Sequence, residues 1–392
     1  MFLKVGSTAF GGFMALISVV ESLVVQRRKL LTHDDMLDGI SLASILPGPV
    51  AVNVVAYVGY RLRGGLGALA TAAGVLLPTF LLMVGFTIAY LQMGDIPQVR
   101  QALMGFIPAM TAIILAAAWR LGCKTIPSWR EGSIAIVAAL ALLFVKGSYT
   151  TLAVVVLAGL VGWLWFRAAG QDNPNPTSEI EQHSDLRSLL SGSSKFKLLA
   201  TVGLLSALFL LFLFPPSFLG TDSLAKIFTT FSGMSLMLFG SGYVFIPLIQ
   251  DIVVNQLGWV TPEQFTTAIA IGQVTPGPIL ISAAFIGYVV KGFLGAVVAT
   301  IGIFFPPALL MVACSTLLAS LKQSSTIQAA LRGIRPAVIG MIVAAAVVFI
   351  QTASWHWATP AIFVAAAIAL FRFKADVLAV IPAAGVLGLL LY

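Results

Sequence analysis

Long apolar stretches, separated by short polar or Gly/Pro punctuation, fill almost the whole chain. They fall at about 3–26, 37–62, 65–91, 101–121, 131–146 and 149–167, and again at 197–214, 223–249, 263–290, 292–318, 326–352, 357–371 and 375–391. Apolar runs of this kind predict membrane helices, since a crossing needs about 20 such residues. One stretch differs. Ala168 to Phe196, with GQDNPNPTSEIEQHSDLRS at its heart, is polar, broken by Pro and Asn, and of mixed charge. It predicts a linker rather than packed structure.

The pattern repeats. A shift of 229 carries Phe10-Gly11-Gly12 onto Phe239-Gly240-Ser241, Thr32 onto Thr261, and Pro47-Gly48-Pro49 onto Pro276-Gly277-Pro278. After one deletion the shift is 228. It aligns Gly59-Tyr60 with Gly287-Tyr288, Gly67-Ala68 with Gly295-Ala296, Pro78 with Pro306, and Pro108-Ala109 with Pro336-Ala337. Such register marks a tandem duplication. The expected organisation is a first transmembrane repeat at 1–168, a linker at 169–196, an extra span at 197–222 and a second repeat at 223–392.

Composition sharpens the class. Of 392 residues, 59% are hydrophobic and 9% charged, with mean hydropathy +1.02. A soluble domain carries about a quarter charged residues, so the fold class is an all-α polytopic membrane protein of about thirteen segments. The net charge of +8 reads as basic cytoplasmic loops rather than a nucleic-acid surface. Cys123 and Cys314 are isolated, and His33, His183 and His356 do not fall at ligand spacing, so neither a disulfide framework nor a metal site is expected. No cofactor is expected either. The first apolar stretch runs into Arg27-Arg28-Lys29 without a small-residue cleavage site, which argues against a signal peptide.

If every segment crosses, seven crossings separate the repeats and they are inverted. Thirteen Lys/Arg then face one side and seven the other, with Arg332 and Arg335 unassigned, which places the linker in the cytoplasm. If the Pro-Gly-Pro segments instead dip in and return, the same count makes the repeats parallel. The linker stays cytoplasmic and the N-terminus changes side.

The chemistry centres on Pro-Gly-Pro inside apolar segments, where each Pro removes a donor and breaks the helix. Backbone freed at membrane depth must face protein or a water-filled cavity. The half-helix that starts at Val50 would aim unpaired N–H groups and its positive dipole end into that cavity, which suits an anion. Ser44, Asn53, Gln273, Thr275 and Ser282 cluster at the two breaks, Ser44 matching Gln273 and Asn53 matching Ser282. Paired broken helices in two halves are a pointer to a transport site. Gly11, Gly12, Gly240 and Ser241 fit close helix packing or backbone presented to a ligand. Glu21 fits either an interfacial pair with Arg27 or Arg28, the favoured reading, or a proton-coupling carboxylate. Arg332 and Arg335 fit either snorkelling to headgroups or an anion-attracting pair at the cytoplasmic mouth. No HExxH, GxSxG or acid–base pair points to an enzyme.

KVGSTAFGG at Lys4–Gly12, LPGP at Leu46–Pro49, GYRLRGGLGA at Gly59–Ala68 and TPGP at Thr275–Pro278 resemble the chromate ion transporter family, in its long two-domain form. The resemblance spans nearly everything outside the linker. It implies a multi-pass bacterial inner-membrane exporter of chromate, coupled to the proton gradient, that confers chromate tolerance. The family motif falls on Phe10, Gly11, Gly12, Pro47, Gly48, Pro49 and Pro276, Gly277, Pro278. The match departs at Phe13 and Met14–Leu16, where many members carry Pro and then His. Expected partners are chromate or a sulfate-like oxyanion, the proton and the bilayer, with a homodimer among the expected assemblies. Sulfate transport and an uncoupled anion channel are the alternatives.

Overall fold

The computed structural model describes residues 1–9, 12–93, 97–145, 150–166, 203–204, 206–207, 209–211, 223–238, 245–315, 325–351, 356–375 and 377–392. Its first repeat comprises α1 (Phe2–Thr8), α2 (Gly12–Glu21, continued by π-helical Ser22–Arg27), α3 (His33–Ile45), α4 (Val50–Met93), α5 (Pro97–Thr125), α6 (Trp129–Phe144) and α7 (Thr150–Phe166). The second comprises α8 (Leu224–Leu236), α9 (Phe245–Gln250, continued by π-helical Asp251–Gln256), α10 (Pro262–Val274), α11 (Ser282–Cys314, after a 3-10 turn at Ile279–Ile281), α12 (Ser325–Gln351), α13 (Ala358–Phe371) and α14 (Val377–Leu391). Even the irregularities are shared: both Ser22–Arg27 and Asp251–Gln256 relax to π-helix. The predicted segments 131–146, 149–167, 326–352, 357–371 and 375–391 match α6, α7, α12, α13 and α14 within two residues. Segment 197–214 lies mostly outside the described residues.

Local chemistry sets the starts of α3 and α10. Thr32 accepts from the N–H of Asp35 while the Asp35 carboxylate accepts from the N–H of Thr32, and Thr261 and Gln264 form the same capping box. The Asp35 carboxyl is held below the usual carboxylate range, chiefly by its bonds from Thr32 and also by Arg61.

The sequence alone left segments 37–62 and 263–290 as either single crossings or hairpins; the structure makes them hairpins. A side chain on Gly39 of α3 would collide with the ring of Tyr57 in α4, and Gly272 of α10 lies against Ile279 and Ser282. Those contacts require the two limbs to run side by side, with Pro-Gly-Pro at the tip. α4 and α11 then reverse again. Arg63 and Gly64 leave helical geometry within α4, as do Lys291 and Gly292 within α11. Each helix therefore has two antiparallel arms, at 50–62 and 65–93, and at 282–290 and 293–314. Close approach holds the arms together: a Cβ on Gly59 would lie 2.3 Å from the Gly67 carbonyl oxygen, and one on Gly287 2.3 Å from that of Gly295. Thr71 donates to the Val55 carbonyl across the same seam, at 3.0 Å.

The repeats pack by exchanging partners. Gly105 of α5 meets Ala384 and Gly388 of α14, while Gly333 of α12 meets Ala158 and Gly162 of α7. The second arms of α4 and α11 lie in opposite directions. Phe293, at the start of one, meets Phe80, midway along the other, with ring centroids 5.9 Å apart. The repeat-equivalent pair, Gly65 and Ala308, lines the same apolar groove. α8 runs alongside the second arm of α11, Gly302 fitting against Phe228 and Phe231. Trp259, beyond α9, returns to the ring of Phe231 at 6.3 Å.

The glycine seams carry a direct test. Gly59→Leu should cost about 1–3 kcal/mol or more through overpacking, read as a lower thermal unfolding midpoint in detergent. Gly64→Asn, with φ +63° and open space around it, should change that midpoint little.

Candidate functional site

Both hairpin tips are built alike. α3 ends in extended Leu46 and α10 in extended Thr275; the chain then turns through Gly48 at φ +110° and Gly277 at φ +112°. Side-chain-bearing residues avoid these conformations. Neither glycine leaves its N–H free. The Gly48 N–H donates to the Leu238 carbonyl at 2.6 Å and the Gly277 N–H to the Ala9 carbonyl at 3.0 Å. Leu238 and Ala9 are themselves repeat-equivalent, and each immediately precedes the Phe-Gly motif of the opposite repeat. The tips also rest on equivalent positions of the opposing long arms. Gly48 sits against Pro307, while Gly277 sits against Thr79, whose hydroxyl donates to the Pro276 carbonyl at 2.6 Å.

Behind each tip lies a buried polar side chain with spare hydrogen-bonding capacity. Asn53 is 0% exposed; its Nδ2 donates to the Pro47 carbonyl at 3.2 Å, and its Oδ1 has no partner. Ser282, also 0% exposed, has an unpartnered Oγ. Buried groups left this way are uncommon and call for an explanation. The first intrahelical bond of α4 is from the Asn53 N–H to the Pro49 carbonyl, so helix geometry leaves the N–H groups of Val50, Ala51 and Val52 without intrahelical acceptors. Donors and polar side chains thus converge at the start of α4.

The other predicted residues divide. Ser44 spends its hydroxyl on the Ile40 carbonyl at 2.7 Å, and Thr275 spends its own on Gly272 at 3.2 Å. Gln273 is half-buried on the last turn of α10. Gly11, Gly240 and Ser241 lie outside the described residues, and Gly12 opens α2. Arg332 sits in the packing of α6, α7 and α12. Its Nε donates to Glu131 at 2.9 Å and its guanidinium lies 4.3 Å from the Phe166 ring centroid. Arg335 is exposed on the same helix. Glu21 pairs with His33 Nδ1 at 2.9 Å rather than with Arg27 or Arg28.

Sequence reasoning missed Glu131, which is 0% exposed and joined to Ser128 as well as to the half-exposed Arg332. A lone acid opening an apolar segment was its signal. It also missed Thr79 and Pro307, although each adjoins a matched proline, Pro78 or Pro306.

The sequence model of the chromate transporter family matches residues 1–163 and 225–389. The chain belongs to the chromate transporter family. An uncharacterized transporter of Methanocaldococcus jannaschii is 30% identical over all of this chain and 92% of its own length. A probable chromate transport protein of Synechococcus elongatus is 30% identical over 88% of this chain and 82% of its own. A chromate transport protein of Cupriavidus metallidurans is 27% identical over 95% and 87%. No solved structure matches the chain. In this chromate transporter family member the matched regions cover both hairpin systems and omit the linker and the segment after it.

The tip glycines should tolerate nothing larger. Gly48→Ala puts a Cβ 2.1 Å from that of Pro307, and Gly277→Ala puts one 2.7 Å from Thr79 Oγ1. Strain and overlap together should cost about 3–5 kcal/mol. Size-exclusion profiles in detergent and vesicle flux should both show loss of intact, active protein.

Proposed function

We propose that this protein is a secondary active transporter that exports chromate, a tetrahedral oxyanion, from the bacterial cytoplasm using the proton gradient. The observation that carries the reading is the matched pair of hairpin tips, each with a helix N-terminus and a buried, under-bonded side chain, in a chain of this family. The anion binds at the N–H groups that follow Pro49 and Pro278, at the start of α4 and of the 3-10 turn before α11, with Asn53 and Ser282 beside them. Paired helix breaks at the interface of two repeats are where transporters place their substrates. Alternating access is rocking of one repeat against the other about the crossed tip contacts.

The repeats are inverted in the bilayer. Antiparallel packing of the second arms of α4 and α11 supports this, because repeats related by an axis along the membrane normal would keep equivalent helices parallel. Segments 3–26, 37–62, 223–249 and 263–290 enter as hairpins and return; the other nine of the thirteen predicted segments cross. Arg100, Lys146, Lys226 and Lys291 then face one side, and the remaining eighteen of the 22 Lys and Arg residues face the side of the linker. By the positive-inside rule that side is cytoplasmic. The first Pro-Gly-Pro hairpin therefore enters from the cytoplasm and the second from outside.

Two measurements test these points. Purified protein in proteoliposomes should give saturable chromate flux that follows an imposed pH gradient, and replacing Pro-Gly-Pro by Ala in either repeat should abolish it with the protein still in the membrane. Flux indifferent to the gradient means a channel. Normal flux in both variants removes the site. For sidedness, in a background without Cys123 and Cys314, Gly65→Cys should react with an impermeant maleimide from the cytoplasmic face only. Phe293→Cys should react from the outer face only; both reacting from one face makes the repeats parallel.

A further inference from the structure

The second arms of α4 and α11 do not close on one another. Between them runs a groove of about 990 Å³, lined from Gly65 to Leu81 on α4 and from Phe293 to Val312 on α11. Leu69, Leu77, Phe293 and Ile301 on its walls are exposed. Thr300 is the one polar side chain among the lining residues, and its hydroxyl is spent on the Ala296 carbonyl at 2.7 Å. Ala68, Ala72, Ala73 and Ala308 fill little of the space. Such a hollow offers water no partners, so at membrane depth it takes up hydrocarbon.

Its ends are basic. Phe80 meets Phe293, and Gly65 lines the groove with Ala308, so the arms cross near Ala72–Ala73 and Thr300–Ile301. Arg63 and Lys291 then stand roughly 14 Å of helix rise to either side of the crossing, close to half of a hydrocarbon core about 30 Å thick. Both are exposed. Among the described residues neither has an ion pair or a hydrogen bond, whereas neighbouring Arg61 is spent on Asp35. We infer that the groove is a binding site for anionic phospholipid. The acyl chains lie between the arms, and the phosphate rests on Arg63 at one end or on Lys291 at the other. Placing the two ends in opposite leaflets rests on the inverted arrangement of the repeats. The binding itself does not, and it is independent of the transported ion.

Charge and shape favour lipid over a second copy of the chain. A two-fold axis along the membrane normal would bring like charges together at both ends, and no carboxylate lines the groove to relieve them. Two hollows set face to face would also enclose a void, which well-packed interfaces avoid. A phosphate group instead complements guanidinium and ammonium alike. The bound chains lie directly behind the hairpin tips. Thr79, which donates to the Pro276 carbonyl, precedes Phe80 of the groove wall, and Pro307, which lies on Gly48, precedes Ala308. Lipid between the arms therefore sets the spacing of the two helices on which both tips rest.

The test uses the full chain purified in a neutral detergent, with dioleoyl phosphatidylglycerol and dioleoyl phosphatidylcholine as probes. Native mass spectrometry should show phosphatidylglycerol retained about fivefold better, the effect of one basic contact at a membrane surface. Phosphatidylglycerol should also raise the thermal unfolding midpoint more than phosphatidylcholine does. Arg63→Gln combined with Lys291→Gln should erase the preference. Arg372→Gln combined with Lys374→Gln, at exposed positions outside the groove, should leave it intact. Ala73→Trp, at an exposed position in the groove, should lower retention of both lipids; should it fail to fold, the glutamine pairs carry the comparison. Equal retention of both lipids by the wild type overturns the inference, as does equal loss of preference in the two glutamine pairs, which marks general adsorption to basic surface. Equal stabilisation by soluble glycerol phosphate overturns it in favour of an anion site without lipid. A dimer that phosphatidylglycerol does not dissociate and Ala73→Trp breaks overturns it in favour of a second copy.

Discussion

Backbone polarity at membrane depth is the constraint on which this structure depends. Lipid offers no partners for exposed N–H and C=O groups, and each one left bare costs several kcal/mol. The chain nevertheless turns twice at Pro-Gly-Pro, inside segments apolar enough to lie in the hydrocarbon. It resolves the conflict by mutual service: the Gly48 amide is satisfied by Leu238 and the Gly277 amide by Ala9. Each repeat completes the broken backbone of the other. Neither tip is complete without the other repeat.

The same reciprocity runs outward from the tips. Small residues bring α5 onto α14 and α12 onto α7, with glycines or alanines on both sides of each contact. The Glu131–Arg332 pair again joins the first repeat to the second. Its buried carboxylate has a guanidinium and a hydroxyl as partners, the arrangement that makes a buried charge tolerable. Because these contacts cross between repeats, relative motion of the repeats must rearrange them together.

At the centre, the crossed bonds also decide what is left for a ligand. The tip glycines, the most conspicuous donors in the motif, are already used. What remains is the first turn of α4 with Asn53 Oδ1 at one tip, and the Ser282 hydroxyl at the other. The two sites are not chemically identical, since an amide faces one tip and a hydroxyl the other.

The sequence by itself determined the membrane class, the duplication, the helical segments and the residues of the two breaks. Hydrophobic length and Gly/Pro register are local properties, readable one residue at a time. It also singled out Asn53 and Ser282, because a polar residue in an apolar run announces its cost. Only the tertiary structure decided that the Pro-Gly-Pro segments are hairpins, since a proline break looks the same whether the chain continues or turns back, and it takes Tyr57 lying on Gly39 to tell them apart. Only the tertiary structure showed that Ser44 and Thr275 are spent on their own helices while Oδ1 of Asn53 is not. It likewise drew Arg332 to Glu131, about two hundred residues away in sequence. Partner identity is non-local, and neither hydropathy nor spacing carries it.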